Sequence, residues 1–158
     1  METNRLRTDK IGMSKILKDE RKTPRVILDS NALFVPLQFK IDIFKELSTL
    51  LDRSFEPILI SPVKNEVEKF AETGSPKMQK NASYAVKLAE KCKLITVDEE
   101  QGSVDDAIVK AAHDLHAAVF TNDMQLRKRL RNINVPVIYV RQKSHLEIDG
   151  RLCPCLNL

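Results

Sequence analysis

Short apolar runs alternate with amphipathic segments from residue 26 to residue 140. Each run has the length and composition of a strand buried on both faces of a sheet. The segments between them repeat apolar residues at helical spacing. The runs are Val26–Leu28, Pro57–Ile60, Leu94–Val97, Ala118–Thr121 and Val137–Val140, and the helical segments are Phe39–Leu51, Pro62–Glu72, Lys77–Cys92, Val104–His116 and Asp123–Asn132.

Strands that alternate with helices form a parallel sheet with helices on both faces. We therefore predict an α/β protein, a three-layer α/β/α fold around a five-stranded parallel sheet. A chain of 158 residues is long enough for one domain with a substantial core. The predicted core domain spans residues 25–141. It follows an N-terminal arm, residues 1–24, and precedes a C-terminal tail, residues 142–158, whose structure the pattern leaves unassigned.

The positive charge of the chain is concentrated in the N-terminal arm. Residues 1–25 carry eight Lys or Arg and four acids, which leaves 18 residues of each sign for residues 26–158. Basic arms contact phosphate backbones through an attraction that salt weakens. A solvated tail would have the same composition, so charge alone does not decide between these interpretations.

Membrane insertion and a disulfide framework are both disfavoured by composition. No apolar run approaches the roughly 18 residues of a membrane span, and no signal peptide is visible. Three cysteines, an odd number, favour a reducing cytoplasmic location. Cys153 and Cys155 form a close pair for which metal binding and oxidation both stay open.

The first apolar run ends abruptly in polar residues at Asp29, Ser30 and Asn31. A carboxylate at the carboxyl end of a central strand lies where open α/β sheets bind ligands. The alternative is that Asp29 only caps the turn or helix that follows. For this one residue the two interpretations are equally good.

Further acids follow the later strands or begin the later helices. Glu66 lies early in the helix after the second strand, Asp105 and Asp106 begin the helix after the third, and Asp123 follows the fourth. All are predicted at the same edge of the sheet as Asp29. With no basic residue adjacent in these motifs, such carboxylates would repel one another unless they hold divalent cations. Oxygen ligands suit Mg²⁺ or Mn²⁺, and such sites hydrolyse phosphodiesters.

These acidic motifs, Leu-Asp-Ser-Asn, Asn-Glu-Val-Glu, Asp-Asp-Ala-Ile and Thr-Asn-Asp, resemble the four acidic motifs of the PIN-domain nucleases. The resemblance covers about residues 25–141 in the order of the family. It implies a metal-dependent endoribonuclease that uses Mg²⁺ or Mn²⁺. The implied catalytic and metal-binding residues are Asp29, Glu66, Asp105 and Asp123, with Asp106 as a further metal ligand and Asn31 and Thr121 as supporting polar groups.

Within the family, the chain resembles an archaeal relative of the ribosome-biogenesis branch, whose members cleave precursor ribosomal RNA in the small-subunit processome. The residues that carry this likeness are Val-Glu-Lys-Phe after Glu66, the double Asp, and the segment from Asp123 to Val140. The implied partners are RNA and ribosome-assembly proteins, with a homodimer left open. The alternatives are a non-catalytic PIN scaffold that binds RNA or protein, and a toxin-type ribonuclease of a toxin–antitoxin pair.

One short helical segment carries four cations, and its apolar stripe leaves them on the remaining faces. They either contact RNA beside the acids or are solvated residues favoured near a helix C-terminus. On the nuclease interpretation we expect RNA binding. The four are Arg127, Lys128, Arg129 and Arg131.

Overall fold

A computed structural model describes residues 23–98 and 102–152. In this part of the chain six strands form one sheet in the order β3-β2-β1-β4-β5-β6. Neighbours from β3 to β5 pair in parallel, and β6 pairs antiparallel with β5. The strands are β1 Arg25–Leu28, β2 Glu56–Ile60, β3 Lys93–Ile95, β4 Ala118–Phe120, β5 Val137–Arg141 and β6 His145–Asp149.

Helices connect all the parallel strands and complete the predicted α/β architecture. Right-handed crossovers place the helices that lead from β1 to β3 on one face, and those that lead back to β4 and β5 on the other. Val26, Ile27 and Leu28 are fully buried, as expected for a central strand covered on both faces. The helices are α1 Ser30–Leu33, α2 Val35–Phe39, α3 Ile43–Leu51, α4 Ser61–Thr73, α5 Pro76–Ala89, α6 Val104–Leu115 and α7 Met124–Asn132.

The helix predicted over Phe39–Leu51 is in fact two helices, α2 and α3. Lys40 adopts the left-handed conformation with φ 57°, which ends α2. Asp42 then begins α3 by accepting a hydrogen bond from the Lys45 backbone N–H. The apolar stripe of α3 includes neither Lys40 nor Asp42. The stripe therefore gave no signal for the position of the break.

Ser61 is the first residue of α4 and does not cap it. The preceding Ile60 occupies the cap position without a side-chain bond. The Ser61 hydroxyl instead accepts a hydrogen bond from the Val97 backbone N–H at 3.0 Å and donates one to the Val97 carbonyl at 3.4 Å. Ser61 therefore ties the segment after β3 to the end of β2.

The sixth strand lies in the segment that the sequence pattern left unassigned. Its Leu146 and Ile148 pack with the core, and Asp149 pairs with two arginines of α7. Arg127 Nη2 lies 3.1 Å from Asp149 Oδ2, and Arg131 Nε lies 3.3 Å from Asp149 Oδ1. The predicted five-stranded parallel sheet is therefore extended by one antiparallel edge strand.

Several expectations concern residues that lie outside the described part of the chain. Nearly all of the basic arm, residues 1–22, and both cysteines of the C-terminal pair, Cys153 and Cys155, fall there. Across residues 23–98 and 102–152, no helix is both long and apolar enough to cross a membrane.

Candidate active site

The direction of the chain through the sheet reverses between β1 and β4, which lie side by side. Open α/β sheets bind ligands at such a switch point, outside the carboxyl ends of the strands. Asp29 follows β1 and Thr121 follows β4, and these are the two buried polar residues of the described chain, at 5% and 0% exposure. Two polar side chains therefore meet at the place where this topology creates a crevice.

The Asp29 carboxylate accepts three hydrogen bonds. Oδ1 accepts from the Ser30 backbone N–H at 2.7 Å. Oδ2 accepts from the Thr121 hydroxyl at 2.7 Å and from the Asn31 side-chain amide at 3.1 Å. The bond from Ser30 shows that Asp29 caps α1, as the alternative interpretation required. The capping role and a place in the crevice are therefore compatible.

Burial raises the pKa of Asp29 above its ordinary value of 3.8. Hydrogen bonds from Thr121 and Ser30 oppose this shift because they favour the ionised form. The negative charges of Asp105 and Glu66 raise the pKa further. The structure thus brings Asp29 within electrostatic reach of acids from α6 and α4.

Asp105 occupies the first turn of α6 and is only partly exposed. Burial raises its pKa, and Asp123, Glu66 and Asp106 add repulsion, whereas the Arg129 guanidinium opposes them. All four predicted catalytic acids, Asp29, Glu66, Asp105 and Asp123, are therefore electrostatically coupled in one region. Within the described residues, no three acidic, His or Cys side chains already form a group that could hold a metal ion.

Asp106 has partners of its own on both carboxylate oxygens. Oδ2 accepts from the Ser103 backbone N–H at 3.0 Å, and the Ser103 hydroxyl accepts from the Asp106 N–H, which completes a capping box. Oδ1 accepts from Arg129 Nη2 at 2.8 Å. These hydrogen bonds lower the pKa of Asp106, so its carboxylate is stabilised as a cap and ion-pair partner.

The presence of Arg129 corrects one premise of the sequence interpretation. No basic residue is adjacent to the acids in the motifs themselves, but α7 brings Arg129 onto Asp106 from 23 positions away. The acids are therefore partly balanced by a cation. Asp123, for its part, accepts hydrogen bonds from the Gln125 and Leu126 backbone N–H groups and caps α7.

Neutral amides connect the three loops at this edge of the sheet. Asn31 Oδ1 accepts from the Asn122 backbone N–H at 3.0 Å, and Asn122 Oδ1 accepts from the Val140 N–H at 2.9 Å. The Thr121 hydroxyl also accepts from the Asp123 N–H at 3.1 Å. The supporting role of Asn31 and Thr121 in catalysis stays a prediction, but both side chains hold the segments at this edge together. Asn122 does so too, and its position between Thr121 and Asp123 was the signal that could have identified it.

Three of the four cations predicted to bind RNA are engaged within the protein. Arg127 and Arg131 pair with Asp149, and the Arg127 guanidinium also stacks 3.8 Å from the centroid of the Tyr139 ring. Arg129 is bound to Asp106. Lys128 is exposed and forms no ion pair with any residue of the described chain. Helix α7 therefore uses most of its positive charge to hold α6 and β6.

The sequence profile of the PIN like domain family matches residues 26–143. This segment includes the four predicted catalytic acids and Asp106. The chain belongs to the PIN-like domain family. The predicted family is therefore confirmed, together with the α/β/α fold, apart from the added sixth strand.

The chain is also similar to individual ribonucleases and to a solved PIN domain structure. Ribonuclease VapC4 of Methanocaldococcus jannaschii is 31% identical over 127 residues, which cover 80% of this chain and 97% of that protein. Ribonuclease VapC9 of Archaeoglobus fulgidus is 24% identical, covering 78% of this chain and 87% of that protein. The structure of the PIN domain endonuclease Utp24 matches with a TM-score of 0.68 and 27% identity, over 81% of this chain and 92% of that one. These similarities therefore support the expectation that the chain is a nuclease.

The donor set of this PIN-like domain fits a hard divalent cation. All four acids offer carboxylate oxygens, the ligands that Mg²⁺ and Mn²⁺ prefer. Burial and repulsion by other acids both raise the pKa values of Asp29 and Asp105, and a bound cation would relieve the repulsion. The chemistry of the residues present is thus that of a site for such an ion.

Proposed function

We propose that this PIN-like domain is a divalent-metal-dependent endoribonuclease that hydrolyses phosphodiester bonds in RNA. The observation that carries the proposal is the position of Asp29. It is buried at the switch point of the sheet, and this burial raises its pKa, to which the charges of Asp105 and Glu66 add. A protein does not gain stability by burying a carboxylate among other acids. Function therefore explains this arrangement better than packing does.

Asp29, Glu66, Asp105 and Asp123 are the residues that would hold Mg²⁺ or Mn²⁺. When bound, such an ion activates water and stabilises negative charge on the phosphate. The residues of the chain itself orient the Asp29 carboxylate. The Thr121 hydroxyl and the Asn31 amide donate to the same oxygen of Asp29, which leaves Oδ1 with one bond, that from Ser30. We propose that Asp106 contributes less to metal binding than the other four acids, because both of its carboxylate oxygens already have protein partners.

We propose precursor ribosomal RNA as the substrate. The support is the resemblance of the acidic and basic motifs to the ribosome-biogenesis branch, together with the structural match to Utp24. Aromatic residues make up only 5% of the chain, which favours recognition of the RNA backbone and shape over base stacking. We also propose that the protein binds ribosome-assembly proteins and a second copy of the chain. We propose the cytoplasm as its location.

A toxin-type ribonuclease is the second candidate. The observation that favours it is the 31% identity to ribonuclease VapC4, which the chain matches over 97% of that protein's length. Both candidates use the same acids, so they differ in substrate and partner. A small antitoxin gene beside the gene for this chain would favour the toxin.

The proposal is tested by incubating the purified protein with ribosomal RNA precursor transcripts and unrelated structured RNA, with Mn²⁺ or with chelator. We expect internal cleavage by the parent in Mn²⁺, and none by Asp29→Asn. The matched control is Asp52→Asn, which makes the same change at an exposed residue with φ 53°, a conformation that Asn tolerates. Failure of the parent to cleave any RNA with metal would favour the non-catalytic scaffold. Equal cleavage by Asp29→Asn would remove Asp29 from the site.

A further inference from the structure

The β5–β6 hairpin extends beyond the edge of the sheet that carries the acids. The Thr121 N–H bonds the Ile138 carbonyl, so the end of β4 is level with the middle of β5. Strand β5 continues for three more residues, to Arg141. At about 3.3 Å per residue, its end stands roughly 10 Å beyond that level. The hairpin therefore forms a wall beside the crevice.

Two contacts fix the position of this wall. The Val140 N–H donates to Asn122, the residue before Asp123, so the end of β5 is attached to the acid-bearing loop itself. The tip is a three-residue turn, residues 142–144, in which Gln142 and Lys143 have φ of 53° and 57°. The Ser144 N–H bonds the Arg141 carbonyl at 3.1 Å. Two consecutive residues with positive φ match the twist of a tight hairpin. The base of the tip is thus attached to the residue before Asp123.

The tip carries cations whose side chains are largely exposed. Arg141 is 52% exposed and lies 3.3 Å from Glu147, an acid that also bonds His145 at 2.9 Å and the Tyr139 hydroxyl at 3.4 Å. Lys143 is exposed and forms no ion pair with any residue within 23–98 or 102–152. This end of the hairpin therefore carries two permanent cations and a histidine but one acid, Glu147.

We propose that the hairpin tip, residues 141–145, binds the phosphate backbone of RNA beside the acid edge. The inference rests on the proposed ribonuclease function and assigns its RNA-binding surface. Lys143 is available for phosphates. Arg141 is paired with Glu147, but its side chain is 52% exposed and lies at the tip. The arginines of α7 are also bound to acids of the protein, and their side chains are less exposed. A backbone partner fits better than bases because the Arg127 guanidinium covers one face of Tyr139, the aromatic residue of this hairpin.

The experiment measures binding of a fluorescein-labelled, single-stranded RNA by anisotropy between 50 and 200 mM salt. Every protein carries Asp29→Asn and chelator is present, so that the RNA stays intact. The test variant is Arg141→Gln with Lys143→Asn, since Asn tolerates the positive φ of Lys143. The control is Lys87→Gln with Lys110→Gln, which removes the same charge from exposed positions of α5 and α6.

Loss of two phosphate contacts should reduce the slope of log K against log salt by about 1.4, because each contact to a single strand contributes about 0.7. The control should keep the slope of the parent. In the active background with Mn²⁺, the hairpin variant should raise KM and retain kcat. Tight binding with an unchanged slope in the hairpin variant would overturn the inference while leaving the nuclease proposal intact. Absence of both RNA binding and RNA cleavage by the parent would overturn both.

Discussion

Replacing Thr121 with Val tests whether the hydroxyl of this buried residue maintains the acid site. Val has nearly the same shape, so the change removes hydrogen bonds without opening a cavity. The hydroxyl donates to Asp29 Oδ2 at 2.7 Å and accepts from the Asp123 N–H at 3.1 Å. The first bond is made to a carboxylate, and loss of the second leaves a partly buried N–H without its acceptor. We expect unfolding free energy to fall by about 2–4 kcal/mol at pH 7.

The effect should depend on pH in a defined direction. The pKa of Asp29 in the folded protein is raised above 3.8, so ionisation of Asp29 costs stability as pH rises from the unfolded value through the folded one. The Thr121 bond lowers that pKa and so reduces this cost. Its contribution is therefore full above the folded pKa of Asp29 and shrinks as pH falls through it. The difference between parent and Thr121→Val should be larger at pH 8 than at pH 4.

The assay is urea unfolding followed by circular dichroism at several pH values between 4 and 8. Thr49→Val is the matched control, because its exposed hydroxyl bonds only the Lys45 carbonyl within its own helix. We expect the control to change stability by less than about 0.5 kcal/mol. In an Asp29→Asn background, Thr121→Val should lose its pH dependence. A cost below about 0.5 kcal/mol, or one that is equal at pH 4 and pH 8, would refute the argument that this bond stabilises an ionised carboxylate.

Two other predictions follow from the charges. In chelator, Asp29→Asn should melt at the same or a higher temperature than the parent, since burial and repulsion outweigh the hydrogen bonds in the pKa of Asp29, and it should gain less from Mn²⁺. Melting well below the parent in chelator would make Asp29 mainly a cap of α1. Deleting residues 1–24 should weaken RNA binding and flatten its salt dependence without changing cleavage at saturating RNA. An unchanged salt slope would place this arm away from the RNA.

The parallel strands could be predicted because burial on both faces makes each of them a continuous apolar run. Strand β6 lacks this signal, since Leu146 is its one fully buried residue and the neighbouring positions are polar. The turn before it was equally hidden, because its positive-φ residues are Gln142 and Lys143, without the Gly or Asn that marks such turns. An edge strand of this kind is specified by its partner β5, and pairing partners are not visible in a local pattern.

The shared position of the candidate acids could be predicted from the sequence because each follows a strand or begins a helix, and the parallel topology takes such positions to one edge. Their ion-pair partners could not be located in the same way. Arg129 meets Asp106 across 23 positions, and Arg127 meets Asp149 across 22. A basic helix in isolation resembles a surface for RNA, and only the packed structure shows that most of its charge is used internally.

The bridge from Asn31 through Asn122 to Val140 consists of uncharged groups. Ionic strength and protonation act on charges, so neither weakens these bonds directly. The link between the loops after β1 and β4 and the end of strand β5 is thus made by groups other than carboxylates. A change of salt or pH can alter how strongly the acids repel one another while the frame that spaces them stays the same. In this domain the groups that space the segments of the candidate site are uncharged, whereas the candidate site residues themselves are acids.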